Sequence, residues 1–407
     1  MKTFPQILLT IICLIFFKFS TAQWLPIYTF PSCPISIATS GNKIYACTTI
    51  SGVFVSTDMG MTFIESNAGL ADLNTRYMIT RDSLLLVGTR TGVFRSTDYG
   101  STWSRSGTGI PANVQSNVGE LIFRGDSVLV ATWGNGIFLS LDFGLNWNTI
   151  NNGLNDFYLD PIFSYGGRIF AGSPTGVGIT ESDNNGQLWV QRNQGVPKMW
   201  ADTSKYEIIT SFANIGDIIF ASTRGSGILR SNDLGLTWNA IPTPNYYIWR
   251  TLSSDSTLLT CHDGTGVLRT EDLGTTWTDM SEGLTLFSSE AMVRSIAKIN
   301  DYVYIGTWSN IMFRRPANEL FTSIEEVESL KGFKVFPNPT NAEISIQSNI
   351  EMHDLKYIIF SQLGIQVLTG HLTGKIGLVN IKPLPSGLYF LQLFGNKKNQ
   401  IIKIIKN

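Results

Sequence analysis

An eight-residue phrase, STDYGSTW at Ser96–Trp103, is written six times in this chain. STDMGMTF begins at Ser56, SLDFGLNW at Ser140, SNDLGLTW at Ser231 and TEDLGTTW at Thr270. A worn copy, SDNNGQLW, begins at Ser182. Successive copies start 39 to 49 residues apart, a spacing at which each copy marks one supersecondary unit of a repeat fold. The phrase has its own mechanism. Its third residue (Asp58, Asp98, Asp142, Asn184, Asp233 or Asp272) can accept backbone N–H bonds and hold a tight turn. The Gly two places on supplies angles that other residues resist, and the closing aromatic buries a ring at the next strand. One Asp per repeat, each beside its own turn, is architecture rather than six catalytic or metal sites.

A fixed preamble precedes each phrase: SLLLVGTRTGVFR, SVLVATWGNGIF and DIIFASTRGSGILR are three of them. Short apolar runs split by Gly-containing turns predict an all-β fold, and no sustained helical period appears after the first residues. After Trp277 the preamble returns once more as AMVRSIAKINDYVYIGTWSNIMFRR, with its phrase decayed to PANELF. The count is therefore seven units. Either WLPI from Trp24 or ELFTSI from Glu319 would supply the closing strand, and the first is preferred because it matches WNTI and WNAI.

The phrase resembles the Asp-box of BNR-like β-propellers, found in sialidases, sortilin-type receptors, xyloglucanases and Ycf48-type photosystem assembly factors. That resemblance implies a seven-bladed β-propeller over residues 23–323, with the phrase between the third and fourth strands of each blade. It says little of function, because those families do unrelated things.

The two ends carry different signals. Lys2, the run ILLTIICLIFF and the small residues before Gln23 predict a cleaved export signal over residues 1–22 and no membrane anchor after its removal. IEEVESLKG at 324–332 reads as a linker. From Phe333 onward eight Lys face three acids, whereas residues 23–332 carry 20 basic and 28 acidic groups, so two modules with different surfaces are expected. The tail, with VFPNPTN, SGLYFLQL and a final QIIKIIKN, resembles the C-terminal sorting domain of proteins exported by type IX secretion. This implies a small Ig-like β-sandwich over 333–407 whose partner is the type IX machinery. It also implies a destination outside a Gram-negative cell, released or attached to its outer surface, reached through the periplasm.

Cys33, Cys47 and Cys261 remain after signal removal, and a Cys33–Cys47 disulfide and free buried thiols both fit. No Cys/His spacing suggests a metal, no P-loop or dinucleotide fingerprint suggests a cofactor, and no basic stripe suggests nucleic acid.

In the propeller expected from this resemblance, ligands meet the open end of the central channel. Counting back from the end of each second strand lands on Arg76, Glu120, Asp160, Arg250 and Arg294, and the unit near Ile209 breaks the pattern. Arg90, Trp133, Arg224 and Trp308 fall in second-to-third-strand turns on the same face. Trp200, Tyr206, Tyr246, Tyr247 and Trp249 fall in inter-blade loops, and His262 and Asp263 form a candidate polar pair. Arginine forks suit carboxylates or phosphates, and exposed rings suit sugar faces. The same charges would also serve simply to pair with one another and solvate the channel. The expected function is non-catalytic binding of an extracellular glycan or protein. The alternative is a glycoside hydrolase of sialidase-like type using Glu120 and Asp160. The Phe/Tyr-Arg-Ile-Pro motif of sialidases is absent, and the chain has length for one propeller, not the two of a xyloglucanase.

Overall fold

The computed structural model describes residues 23–111, 117–244, 247–284, 292–321, 333–361, 366–395 and 398–407. The predicted signal and linker lie outside them. The chain divides into two compact units on either side of the Thr322/Ser323 bond.

The first unit is a propeller of seven four-stranded antiparallel sheets. Blade 1 runs Pro34–Ser40, Lys43–Thr48, Gly52–Ser56 and Ile64–Glu65 from the channel outward. Blades 2 to 6 repeat that order, with innermost strands at Thr75–Arg81, Val118–Arg124, Ile162–Tyr165, Ile209–Ile215 and Ile248–Ser254. Blade 7 has Val293–Ile299 innermost, and this strand packs back against blade 1 to close the ring. Both faces of a blade are covered by its neighbours. Second strands therefore read as continuous apolar runs, and Leu85, Leu86 and Val87 are all fully buried.

The phrase forms the same turn in each blade where it occurs. In blade 2, Ser96 Oγ donates to Asp98 Oδ1 (2.7 Å) and accepts from Gly100 N (2.9 Å). Asp98 also accepts from Thr102 N (2.9 Å) and Thr102 Oγ1 (2.6 Å). In the worn copy Asn184 Oδ1 still accepts from Leu188 N, and Leu188 has no hydroxyl for the last bond.

The turn does more than the sequence reading assigned to it. The residue before each Gly is also left-handed, as at Met59, Tyr99, Phe143 and Leu273, at a cost of about 1–2 kcal/mol each. This aims its carbonyl at the preceding blade. Tyr45 Oη donates to Tyr99 O (2.9 Å), Arg95 Nε to Phe143 O (3.2 Å) and Tyr304 Oη to Met59 O (3.0 Å). The closing Trp crosses the same way, Trp103 Nε1 donating to Ser66 O (2.7 Å) and Trp277 Nε1 to Pro242 O (2.7 Å). The phrase thus clasps blade to blade. It acts with a second repeat, SNAGL, NNGL, NQGV and SEGL, after blades 1, 3, 4 and 6. A Cβ on Gly69 or Gly195 would collide with the carbonyl of Trp103 or Trp238.

Leu25–Thr29 closes blade 7, pairing antiparallel with Ile311–Pro316. Trp24 takes the place of the lost phrase's ring, buried at 1% exposure with Nε1 donating to Met280 O (2.8 Å). Of the other candidate segment only Glu319–Phe321 lies within the described residues, and these form no strand. Ala317–Leu320 form one helical turn, and Leu320 and Phe321 pack into the core around Trp24. Cys33, Cys47 and Cys261 are free, buried thiols.

The second unit is one five-stranded antiparallel sheet folded on itself. Its long strand Glu343–Ser361 changes register twice between Gln347 and Leu355. The first half lies between Phe333–Phe336 and the end of Gln366–Asn380. The second half lies between the start of that strand and Gly387–Gly395, which pairs with Lys398–Lys406. Ile344, Ile346, Ile359, Val379, Leu391 and Ile404 fill the core between. Asn338 of the VFPNP opening ties the last strand down, donating to Lys403 O (2.6 Å) and accepting from Ile405 N (2.9 Å).

Two outcomes follow for stability. Trp24→Ala should cost about 3–5 kcal/mol in urea unfolding of the full chain, and an unchanged midpoint would refute the closing role. The carboxyls of Asp58, Asp98, Asp142 and Asp272 are held down at about 2 mainly by the turn's own hydrogen bonds. Their folded values lie below the unfolded value. Their contribution is therefore present above about pH 4 and is lost as pH falls toward 2. Urea midpoints measured down that range should fall less in Asp98→Asn/Asp142→Asn than in the parent.

Candidate functional site

Six of the seven innermost strands begin with a shared irregularity. Register slips between Pro34 and Ser36, Thr75 and Met78, Val118 and Leu121, Ile209 and Ser211, Ile248 and Arg250, and Val293 and Ser295. A bulge re-aims the side chain it carries. Ile35, Arg76, Tyr77, Thr210, Trp249 and Arg294 sit in these slips, and all line one cavity of about 820 Å³ at the channel mouth. Asn117, Asp160 and Arg250 join them, as do Arg90, Trp133, Arg224 and Trp308 from the second-to-third-strand turns. That volume suits a small ligand or the end of a larger one.

Eight of the nine residues singled out in the sequence thus share this cavity. Glu120 does not line it. In blade 3 the slip spans two residues, Gly119 and Glu120, and Glu120 turns into the wall, where its carboxylate accepts from Ile162 N (3.2 Å). The aromatic set also divides. Trp249 lines the cavity, Tyr206 lies under Lys198 Nζ (3.2 Å to the ring centroid), and Trp200 stands 97% exposed. Tyr247 is exposed, and Tyr246 lies outside the described residues. His262 is buried in blade 6 with Thr260 Oγ1 at 2.7 Å, away from the rim pair expected of it. Burial pushes its imidazole down to about 4. Asp263 instead reaches Arg294 Nη2 at 3.6 Å.

Five guanidiniums face the cavity against one carboxylate, Asp160. Aromatic faces hold them. Arg76 lies over Trp133 (4.7 Å), Arg250 over Tyr77 (4.8 Å), and Arg294 between Trp249 (3.8 Å) and Trp308 (4.8 Å). A guanidinium stacked this way keeps its N–H edge available for an acceptor. Arg250 Nη1 also donates to Thr210 O and Trp249 O. Burial lowers Arg250 to about 10, and it lowers Arg76 and Arg294 too, leaving all three charged at neutral pH.

Asp160 is pushed up to about 6 by burial, against the pull of Arg76 and the Trp133 indole N–H. Glu120 behind it is raised well above the usual carboxylate range by burial and by the Asp160 charge. Among the described residues, Tyr77 Oη, Asn117 Oδ1, Trp133 Nε1, Asp160 Oδ1, Trp249 Nε1 and Arg294 Nε are buried without a hydrogen bond of normal geometry. A native fold seldom leaves so many such groups together. Chemically, the cavity can present forked donors to an anion and two acceptors to a hydroxyl or amine.

Residues 334–407 match the family model of the secretion system C-terminal sorting domain. The tail is a sorting domain. Sorting of this type sends a chain to the cell surface or the extracellular space. Among the described residues no helix is long and apolar enough to cross a membrane. No curated protein matches the chain.

Solved structures match at the level of fold. PorZ of Porphyromonas gingivalis, an essential surface component of the type IX secretion system, is 15% identical with a TM-score of 0.52, over 91% of this chain and 59% of that one. The extracellular domain of the putative one-component system BT4673 from B. thetaiotaomicron is 13% identical, TM-score 0.58, over 95% and 59%. YCF48 from Cyanidioschyzon merolae is 15% identical, TM-score 0.56, over 73% and 99%. The chain thus spans about three fifths of the first two. At these identities the likeness is one of fold.

The Asp160–Trp133 contact should be visible in solution. Tryptophan emission is expected to titrate with a midpoint near pH 6, and Asp160→Asn should abolish that step. A step that survives in the variant would assign it elsewhere.

Proposed function

We propose that this chain is an exported, non-catalytic binding protein. Its ligand is a glycan or protein segment that enters the channel mouth by an anionic group. The observation that carries this reading is the convergence of Arg76, Arg90, Arg224, Arg250 and Arg294 on one cavity with a single facing carboxylate. Charge-assisted bonds from ordered guanidiniums strengthen where water is partly excluded. Asp160 and Asn117 give the cavity an acceptor side, which favours ligands that carry hydroxyl or amine donors beside the anion. In this reading the recurrent phrase is an Asp-box and a frame only, and the signal at 1–22 is removed before export.

Glycoside cleavage is the second reading. Asp160, with its carboxyl near the working range of a general acid, favours it. It lacks the second acid, because a hydrolase needs two carboxyls flanking the scissile bond and Glu120 lies in the wall.

The test is a glycan and peptide array probed with the full-length protein. Arg90→Ala/Arg224→Ala removes two exposed cavity arginines with little risk to the fold. It should weaken binding of acidic ligands at least about tenfold, and added salt should weaken the parent similarly. Acidic ligands bound equally by parent and variant would refute the site. Bond cleavage lost in Asp160→Asn would favour the hydrolase.

A further inference from the structure

The sorting unit carries an apolar face that its own core does not use. Strand register makes it. Phe336 pairs with Ser345, and Ser345 with Leu378. One row over, Lys334 pairs with Gln347, and Gln347 with Ile376. Alternation puts Val335, Ile346 and Val379 inside and leaves the other set outside. The outer set is not polar. Phe336 is 45% exposed, Ile376 56% and Leu378 65%. Ser345 between Phe336 and Leu378 is small, so the two large side chains flank a shallow trough. Lys334 stands exposed in the same row as Ile376.

Sequence and structure coincide at this face. The match to the sorting-domain family begins at Lys334, and Phe336 is the aromatic of the VFPNP opening. That aromatic points outward, while the Asn two places on does the work of tying the unit together. A packing role therefore does not account for Phe336. Clustered exposed apolar side chains on a soluble unit mark a contact surface.

We propose that the outward face of Phe336, Ile376 and Leu378 is where the secretion machinery takes hold of this chain. The occupant is a component of the exporter presenting an apolar patch rimmed by acidic groups. The apolar patch fills the trough, and the acids meet Lys334. This rests on the reading of the tail as an export signal, and it names the surface that is read.

The test is export of the full chain in a bacterium with type IX secretion, measured as the fraction reaching surface and medium against the periplasm. Ile376→Asp/Leu378→Asp should cut the exported fraction roughly tenfold or more, as loss of a central contact does. Thr369→Asp/Thr373→Asp, exposed on the other half of the same strand, should export like the parent. Thermal unfolding of each purified full chain checks folding, and Ile376→Ser/Leu378→Ser decides the matter if the Asp pair does not fold. A chain lacking 334–407 separates the two claims. If it stays in the periplasm while both face variants export normally, the face is wrong and the sorting reading stands. If it exports normally, the sorting reading falls and the face with it. Normal export combined with a lowered melting temperature, or with a dimer turned monomer, would show the face covered by this chain or its copy, and would overturn the proposal.

Discussion

The propeller depends on one contact made at four of its seven interfaces, a tryptophan (Trp24, Trp103, Trp189 or Trp277) that leaves its own blade to donate to a backbone carbonyl of the blade before. Seven sheets arranged in a ring have no shared strand to hold them. Apolar burial supplies most of the attraction between them, but it is not directional. Where they form, the indole N–H bond and the bond to the left-handed residue's carbonyl add direction to the way one blade meets the next. At Met59, Tyr99, Phe143 and Leu273 the strain of the left-handed residue is offset by a bond to its carbonyl from the neighbouring blade. A ring of this kind also needs its last interface made. Trp24 makes it from the far end of the chain, donating to Met280 O.

With the blade interiors committed to packing, variation is confined to the ends of strands. The bulges at the start of the inner strands do two things at once. They break a ladder that would otherwise continue, and in blades 1, 2, 5, 6 and 7 they turn side chains toward the axis. Arginines gathered this way repel one another and lose hydration. Stacking on Trp133, Tyr77, Trp249 and Trp308 offsets part of that cost and holds each fork in place. Such a cavity is organised before any ligand arrives. Little ordering cost remains to be met on binding.

The fold was legible because the phrase is local. A turn closed by its own Ser, Asp and Gly is encoded in eight consecutive residues, and six copies set the period. The site was legible in part, since counting back along strands finds the right end of each blade. It fails at Gly119–Glu120, where the slip is as long as the one at Arg76–Tyr77 but Glu120 turns into the wall, because a count along the strand gives a position and not a direction. The blade near Ile209 breaks the charged pattern because its slipped residue is Thr210, which is uncharged. The second glycine repeat was present in the sequence and went unread, because its meaning lies in a carbonyl of the following blade. The indole N–H groups and Asn117 Oδ1 that are buried without a hydrogen bond of normal geometry leave no trace in sequence, since burial is a property of the assembled ring.

The two units also differ in what their edges offer. The outermost strands of the propeller are short, two residues in most blades, as at Ile64–Glu65 and Ser104–Arg105. Short edges give little purchase to a stray strand, which suits a body displayed outside the cell. The sorting unit is built the other way. Gln366–Asn380 is a 15-residue strand that pairs on one side only among the described residues, and it carries Ile376 and Leu378 outward. Such a surface is a liability for a domain that must stay free of partners. It is an advantage for one whose task is to be grasped. The tail's lysines work in the same direction. They keep a sticky unit soluble and apart from its own copies, while leaving it attractive to an acidic partner. The uneven charge along the chain thus follows its two units, an acidic propeller with short edges and a basic tail with one long edge.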